Sequence, residues 1–182
     1  MLLLGGISER EVSLMSGKEV KGALVRLGHK VLEFDTSKND LCLTPIDNID
    51  VIFNCLHGGA GENGIIQSVC ILKNIPYTGS GVLSSALAMN KVLAKKIFSS
   101  EGINTPEGII SNIKNILDKD PFPRPYVIKP IDGGSSLGVN IIYKGTDLNT
   151  IKVSSAELLM EPYVKGREIA VAVIKNKVLG MI

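Results

Sequence analysis

The chain has 182 residues, of which 45% are hydrophobic and 21% charged, and its formal net charge is +2. That is room for one large or two small hydrophobic cores, and the charge is too small and too dispersed to collect nucleic acid. No apolar run approaches the ~18–20 residues of a bilayer span, so no membrane association is expected.

Leu2–Leu4 is an apolar strand running into Gly5-Gly6, without the basic leader or the cleavage site of a signal peptide. Val20, Ala23, Leu24 and Leu27 then mark one face of a helix, which Gly28 ends. Lys30–Asp35 and Val51–Leu56 read as strands, Ile65, Ile66, Val69 and Leu72 as a helix, and Ile75–Thr78 as another strand. This alternation predicts a parallel sheet covered on both faces. Beyond Gly79–Gly81 the pattern changes. A long helix is predicted over Ser84–Ser100, stacking Leu87, Lys91 and Lys95, and Thr105-Pro106 breaks the chain. Strands at Tyr126–Pro130 and Val139–Tyr143 flank a glycine-rich loop. Further strands are predicted at Leu158–Glu161, Glu168–Ile174 and Lys177–Ile182, with a tight turn at Asn176. The fold class is α/β followed by α+β, in three stretches: residues 1–80, 81–160 and the start of a further unit at 161–182. Because the last strand ends without neighbours to pair its backbone, the chain is expected to continue beyond Ile182.

Cys42, Cys55 and Cys70 are odd in number and lack C-x-x-C spacing, which predicts reduced thiols and a cytoplasmic protein. With only His29 and His57 beside them, a His/Cys metal site is not expected.

Five stretches could carry chemistry. In Lys129–Gly138, Gly133, Gly134 and Gly138 let backbone N–H groups approach an anion, Ser135 and Ser136 add donors, and Lys129 adds charge. This is a phosphate cover or a flexible hairpin tip. It is not a Walker A loop, because Val139 stands where lysine is needed. Lys91 is a phosphate ligand or a solvated surface lysine. Glu9 and Glu11, after Gly5-Gly6, either complement a helix dipole or hold an ammonium. The glycine fingerprint of a dinucleotide site is absent there. His57, in Leu56–Gly64, stands where α/β sheets place ligands, or is an ordinary strand-end histidine. Glu161–Glu168 supplies two acids for an adenine and a ribose, or is a solvated linker.

Taken in order, Gly5–Gly17 (GGISEREVSLMSG), Leu56–Gln67 (LHGGAGENGIIQ), Tyr77–Lys91 (YTGSGVLSSALAMNK), Val127–Val139 (VIKPIDGGSSLGV) and Glu161–Glu168 (EPYVKGRE) resemble the D-alanine–D-alanine ligase family of the ATP-grasp superfamily. The resemblance implies an ATP-grasp fold with a Rossmann-like N-terminal domain. It implies ATP-dependent joining of two D-alanines through an acyl phosphate, for peptidoglycan precursors, in a homodimer. By the same resemblance Glu9 binds the ammonium of the first D-alanine, with Val12 and His57 close to that substrate. Ser135 orients the reacting centre. Lys91, Val127, Lys129, Gly133, Gly134, Ser136 and Gly138 belong to the ATP site. Glu161, Pro162, Tyr163 and Val164 line the adenine, and Glu168 takes the ribose. Magnesium or manganese is implied too, with ligands expected beyond Ile182. The 182 residues alone are therefore expected to bind without turning over. A pure nucleotide-binding module remains the rival from another class; it has no use for Glu9, His57 and Ser135.

Overall fold

The computed structural model describes residues 1–152 and 157–182. Strands β1 (Leu2–Leu4), β2 (Glu33–Asp35) and β3 (Phe53–Asn54) form a parallel sheet in the order β2-β1-β3. In it Leu3 is paired with both Phe34 and Asn54. The three consecutive leucines are buried because helices and loops cover both faces of the central strand. One face packs Leu3, Phe34, Ile52 and Leu56 against Ile66 and Val69 of helix α2 (Ile65–Leu72). The other packs Leu2, Leu4 and Cys55 against Leu14 and Val20 of helix α1 (Arg10–Arg26). Gly17 lets α1 close on the sheet, since a Cβ there would lie 3.0 Å from Leu4 Cδ2. Gly28, at φ 85, ends α1 in the predicted place.

The paired strands are shorter than the apolar runs predict. Of Lys30–Asp35 only Glu33–Asp35 pairs, and of Ile75–Thr78 only Tyr77 forms a bridge, parallel to Ile52. Val51–Leu56 shrinks to two residues because the Asn54 side chain accepts from Leu56 N and donates to Gly61 O, turning the chain into the next loop.

The single helix predicted over Ser84–Ser100 is two helices, α3 (Val82–Met89) and α4 (Lys91–Ser100). Asn90 separates them. Its backbone is extended (ψ 106), and its side chain accepts from Val92 N and Leu93 N, so it caps α4 rather than continuing α3.

Strands β4 (Ile109–Ser111), β5 (Tyr126–Pro130), β6 (Asn140–Ile142) and β7 (Leu158–Pro162) form an antiparallel sheet in the order β4-β7-β5-β6. The oversized β5–β6 hairpin is as predicted, with Tyr126 opposite Ile142. Helix α5 (Ile113–Asp118), capped by Asn112, closes the core beneath it, where Ile116, Tyr126, Ile128, Ile142, Leu158 and Met160 meet. Neither β4 nor α5 was predicted. Strands β8 (Val171–Ile174) and β9 (Lys177–Met181) form a separate exposed hairpin. Its positive φ falls on Lys175, beside the predicted Asn176. Glu168 lies before β8 rather than within it.

Candidate active site

Glu9 precedes α1 at φ 47, ψ 38, in the left-handed region, and makes no capping hydrogen bond. A side-chain cap therefore does not explain it, although it stands where the helix dipole favours an acid. Ser135 Oγ, in the β5–β6 loop, instead donates to Glu9 Oε2 at 2.5 Å. This one bond joins the turn after the parallel sheet to the loop of the antiparallel sheet.

The turn around Glu9 is tightly built. Arg10 donates to both carboxylate oxygens of Asp35, at 2.9 and 2.7 Å, and to Ser37 Oγ at 2.7 Å. The Arg10 guanidinium holds the Asp35 carboxyl well below the usual carboxylate range, with help from Ser37. Asp35 ends β2, so this fork fixes the residue next to Glu9 against the sheet. Gly58, at φ 64, passes so close that a Cβ would lie 2.6 Å from Ser8 Oγ and 2.9 Å from Glu9 Oε1. His57, one residue earlier, shares a 3.1 Å hydrogen bond between its Nε2 and Ser16 Oγ of α1. Val12 is on the first turn of α1 and about half exposed. A cavity opens between the Gly6–Ser8 turn, the Thr36–Cys42 loop and the His57–Gly61 loop. It stands at the carboxyl ends of the parallel strands, the customary ligand position of an α/β sheet.

The phosphate-cover candidate is held from below. Lys91 opens α4, and its backbone N–H donates to Ile131 O at 3.0 Å. Its ammonium donates to Gly133 O at 2.7 Å, so Lys91 grips the loop at both ends of the residue. It is not simply solvated. Partial burial, and then the Lys129 charge, push the Lys91 ammonium below its ordinary value. At the loop tip Gly133 and Gly138 have positive φ, and Ser135 and Ser136 sit at φ 50 and 57. Two successive left-handed non-glycine residues are strained, and such strain gathers at binding sites. The loop is closed by Leu137 N–H to Gly134 O and Val139 N–H to Ser136 O.

Lys129, at the end of β5, pairs with Glu161 of β7. Val127 lies directly opposite Glu161 in the register. Glu161 is only 5% exposed and is shared with a second lysine, Lys95 of α4. Burial pushes its carboxyl up, but the hydrogen bonds from Lys129 and Lys95 outweigh this and leave it below the usual range. Glu161 is thus the reverse of a solvated linker acid. Pro162 and Tyr163 follow it half-buried, with Tyr163 ring-to-ring with Tyr143 at 6.3 Å. Val164 and Glu168 are exposed, and no hydrogen bond or ion pair joins Glu168 to the others among the described residues.

The fold thus brings Glu9, His57, Lys91, Lys129, Ser135 and Glu161 to adjoining turns and strand ends. The sequence alone gives no role to Arg10, Asp35, Ser16 and Lys95. Two of them carried a signal: Arg10 adjoins Glu9, and Lys95 lies one helical turn after Lys91.

These residues can do two things. Two lysines, loop amides and hydroxyls suit a polyphosphate. A carboxylate with one oxygen held by a serine suits an ammonium. No three His, Cys, Asp or Glu residues gather to hold a metal ion among the described residues. No helix among the described residues is long and apolar enough to cross a membrane.

Comparison with known proteins gives concordant matches. A family model described as D-ala D-ala ligase N-terminus matches residues 33–80, and one described as ATP-grasp domain matches residues 88–181. A D-alanine–D-alanine ligase of Rickettsia canadensis is 42% identical over 185 residues, covering 100% of this chain and 52% of the relative. The crystal structure of D-alanine–D-alanine ligase from Bacillus anthracis superposes with a TM-score of 0.83 at 34% identity, over 99% of this chain and 62% of that one. A crystal structure of the Bacillus anthracis ligase complexed with ATP gives 0.78 at 32% identity, over 99% and 63%. The chain spans 52% to 61% of the length of the curated relatives it matches.

Proposed function

The chain belongs to the ATP-grasp family, and on that premise we propose that it is the nucleotide-binding and first-substrate-binding part of a D-alanine–D-alanine ligase. The observation that carries this reading is the bond from Ser135 Oγ to Glu9 Oε2. It joins the acid proposed to bind the ammonium to the loop proposed to cover the phosphates, although neither role alone requires the other.

The chemistry follows from that adjacency. Glu9 takes the ammonium of one D-alanine through a charge-assisted bond, with Ser135 fixing which carboxylate oxygen is free. His57, steadied by Ser16, and Val12 border the same substrate. Lys91 and Lys129 draw the ATP phosphates onto the loop of Gly133, Gly134, Ser135, Ser136 and Gly138. Val127, Glu161, Pro162, Tyr163 and Val164 line the adenine, and Glu168 reaches the ribose. Bound in this way, the substrate carboxylate faces the γ-phosphate. The carboxylate oxygen attacks phosphorus, ADP leaves, and an acyl phosphate forms. The amine of a second D-alanine then attacks the acyl carbon, expelling phosphate and losing a proton to give the dipeptide. The lysines offset the charge that shifts toward ADP in the first step. Such a ligase works with a divalent ion, and these residues do not form its site; they supply the cationic, anionic and hydroxyl contacts to the two substrates. We place the reaction in the cytoplasm and expect a homodimer.

Calorimetric titration tests the reading. ATP should bind saturably to the chain, and Lys129→Met should abolish the signal. D-alanine should bind in preference to L-alanine, and Glu9→Gln should remove that preference. No saturable ATP binding, or equal binding of the two alanine enantiomers, would refute it.

A further inference from the structure

Lys95 makes none of the substrate or nucleotide contacts proposed for its neighbours, yet it sits one turn after Lys91 on α4 and points into the same cluster. Its ammonium bonds Glu161 Oε1 and the carbonyl of Pro106, while Lys129 bonds Glu161 Oε2. Each oxygen of the acid thus has its own lysine. The Lys95 side chain is only 20% exposed. The space for the acid is kept by Gly108, where a Cβ would lie 2.9 Å from Leu159 Cδ1 and 3.2 Å from Glu161 Cγ.

Charge balance gives the arrangement a consequence. Lys129 and Glu161 alone cancel, and a neutral pair has little attraction for a polyphosphate. The carboxyl remains ionised at neutral pH, so the cancellation is permanent. A second lysine on the same acid returns the cluster to net positive. It also occupies Oε1, so Lys129 cannot settle onto both oxygens and turn away from the loop. Other charges near the cluster include Lys91 and Asp132, which act on one another, and Lys96 and Glu107, a cation and an acid that border the groove beside Lys95 and offset each other.

We propose that Lys95 is a positioning residue of the nucleotide site: by holding one oxygen of Glu161 it keeps the Lys129 ammonium available to the phosphates and restores the positive charge that Glu161 removes. The inference rests on the proposed nucleotide site.

Binding of ATP and of adenosine to the 182-residue chain separates this role from a merely structural one. Lys95→Met should weaken ATP about tenfold, the scale of one charge-assisted bond, and leave adenosine within about twofold. Lys95→Arg should restore ATP binding. If Lys95→Met does not fold, Lys95→Gln, which can still donate to Pro106 O, serves for the same measurement. Unchanged ATP affinity, or equal weakening of ATP and adenosine, overturns the inference while the nucleotide site stands. Failure of the unaltered chain to bind ATP overturns both.

Discussion

Glu161→Gln is the most informative single change to the cluster. It removes the charge from a side chain that is 5% exposed and carries two lysine partners. Each charge-assisted bond is worth about 1.5–3 kcal/mol net, and breaking a buried ion pair from one side costs about 3–5 kcal/mol. Two circumstances reduce the loss. The lysine side chains are 20% and 24% exposed and can reach toward water, and glutamine still accepts one bond. A destabilisation of about 3 kcal/mol results, which for a chain of this size lowers Tm by about 6–12 °C. Calorimetric or circular-dichroism melting at neutral pH measures it. The pH dependence has a definite sign. The folded carboxyl lies below its unfolded value, so its contribution is complete above the unfolded value of about 4.3 and is lost as pH falls through the lower folded value. The Tm gap between the two proteins should therefore close in acid. A drop under about 2 °C at neutral pH, or a gap that widens on acidification, would show that the two lysines do not depend on this acid.

Three further changes probe the Gly58 turn, the α3–α4 break and the β5–β6 loop. Gly58→Ala forces a Cβ into a positive-φ extended backbone (φ 64, ψ 175) that only glycine readily adopts, 2.6 Å from Ser8 Oγ; it should cost about 1–3 kcal/mol from backbone strain alone and displace Glu9, read as lost D-alanine binding, and a variant that binds normally would show that the close approach is not needed. Asn90→Ala removes both capping bonds to α4 and should cost about 1 kcal/mol, measured by denaturant midpoint; no shift would mean that the helix break has another cause. Ser135→Ala leaves the melting temperature nearly unchanged, because both partners face solvent, but should speed amide hydrogen exchange of Leu137 and Val139, whose donors close the loop; unchanged exchange would show that the bond to Glu9 does not order the loop.

Sequence periodicity located the parts whose cause is local. Leu2–Leu4, the helix that stops at Gly28 and the Tyr126–Pro130 hairpin arm all appear where their side chains dictate, although α1 packs through Ser13, Leu14, Gly17 and Val20 and leaves Leu27 of the predicted face exposed. The misses have non-local or competing causes. The face of Leu87, Lys91 and Lys95 runs unbroken across Asn90, so a helix pattern conceals a residue whose side chain prefers to cap. Ile109–Asp118 holds a short strand, a capping Asn112 and a single turn and a half of helix, each too brief for a periodicity to register. In the site, the glycine-serine loop, Lys91 and Lys129 are legible as residue types. The left-handed backbone of Glu9 was not, since it is imposed by the packing of Gly58 and the Arg10–Asp35 fork. Nor was the setting of Glu161, whose partner Lys95 lies 66 positions away.

The bond between Ser135 and Glu9 spans 126 positions of the chain, and that separation carries a folding cost. Each sheet can assemble from contacts closer in sequence, with little loop-closure entropy. Closing that span costs more chain entropy than any pairing within either sheet, so the bond is expected to form after the sheets rather than to nucleate them. Glu9 and Ser135 are then a reporter of assembly: their bond is the contact that ties the Lys129–Gly138 loop to the other half of the chain.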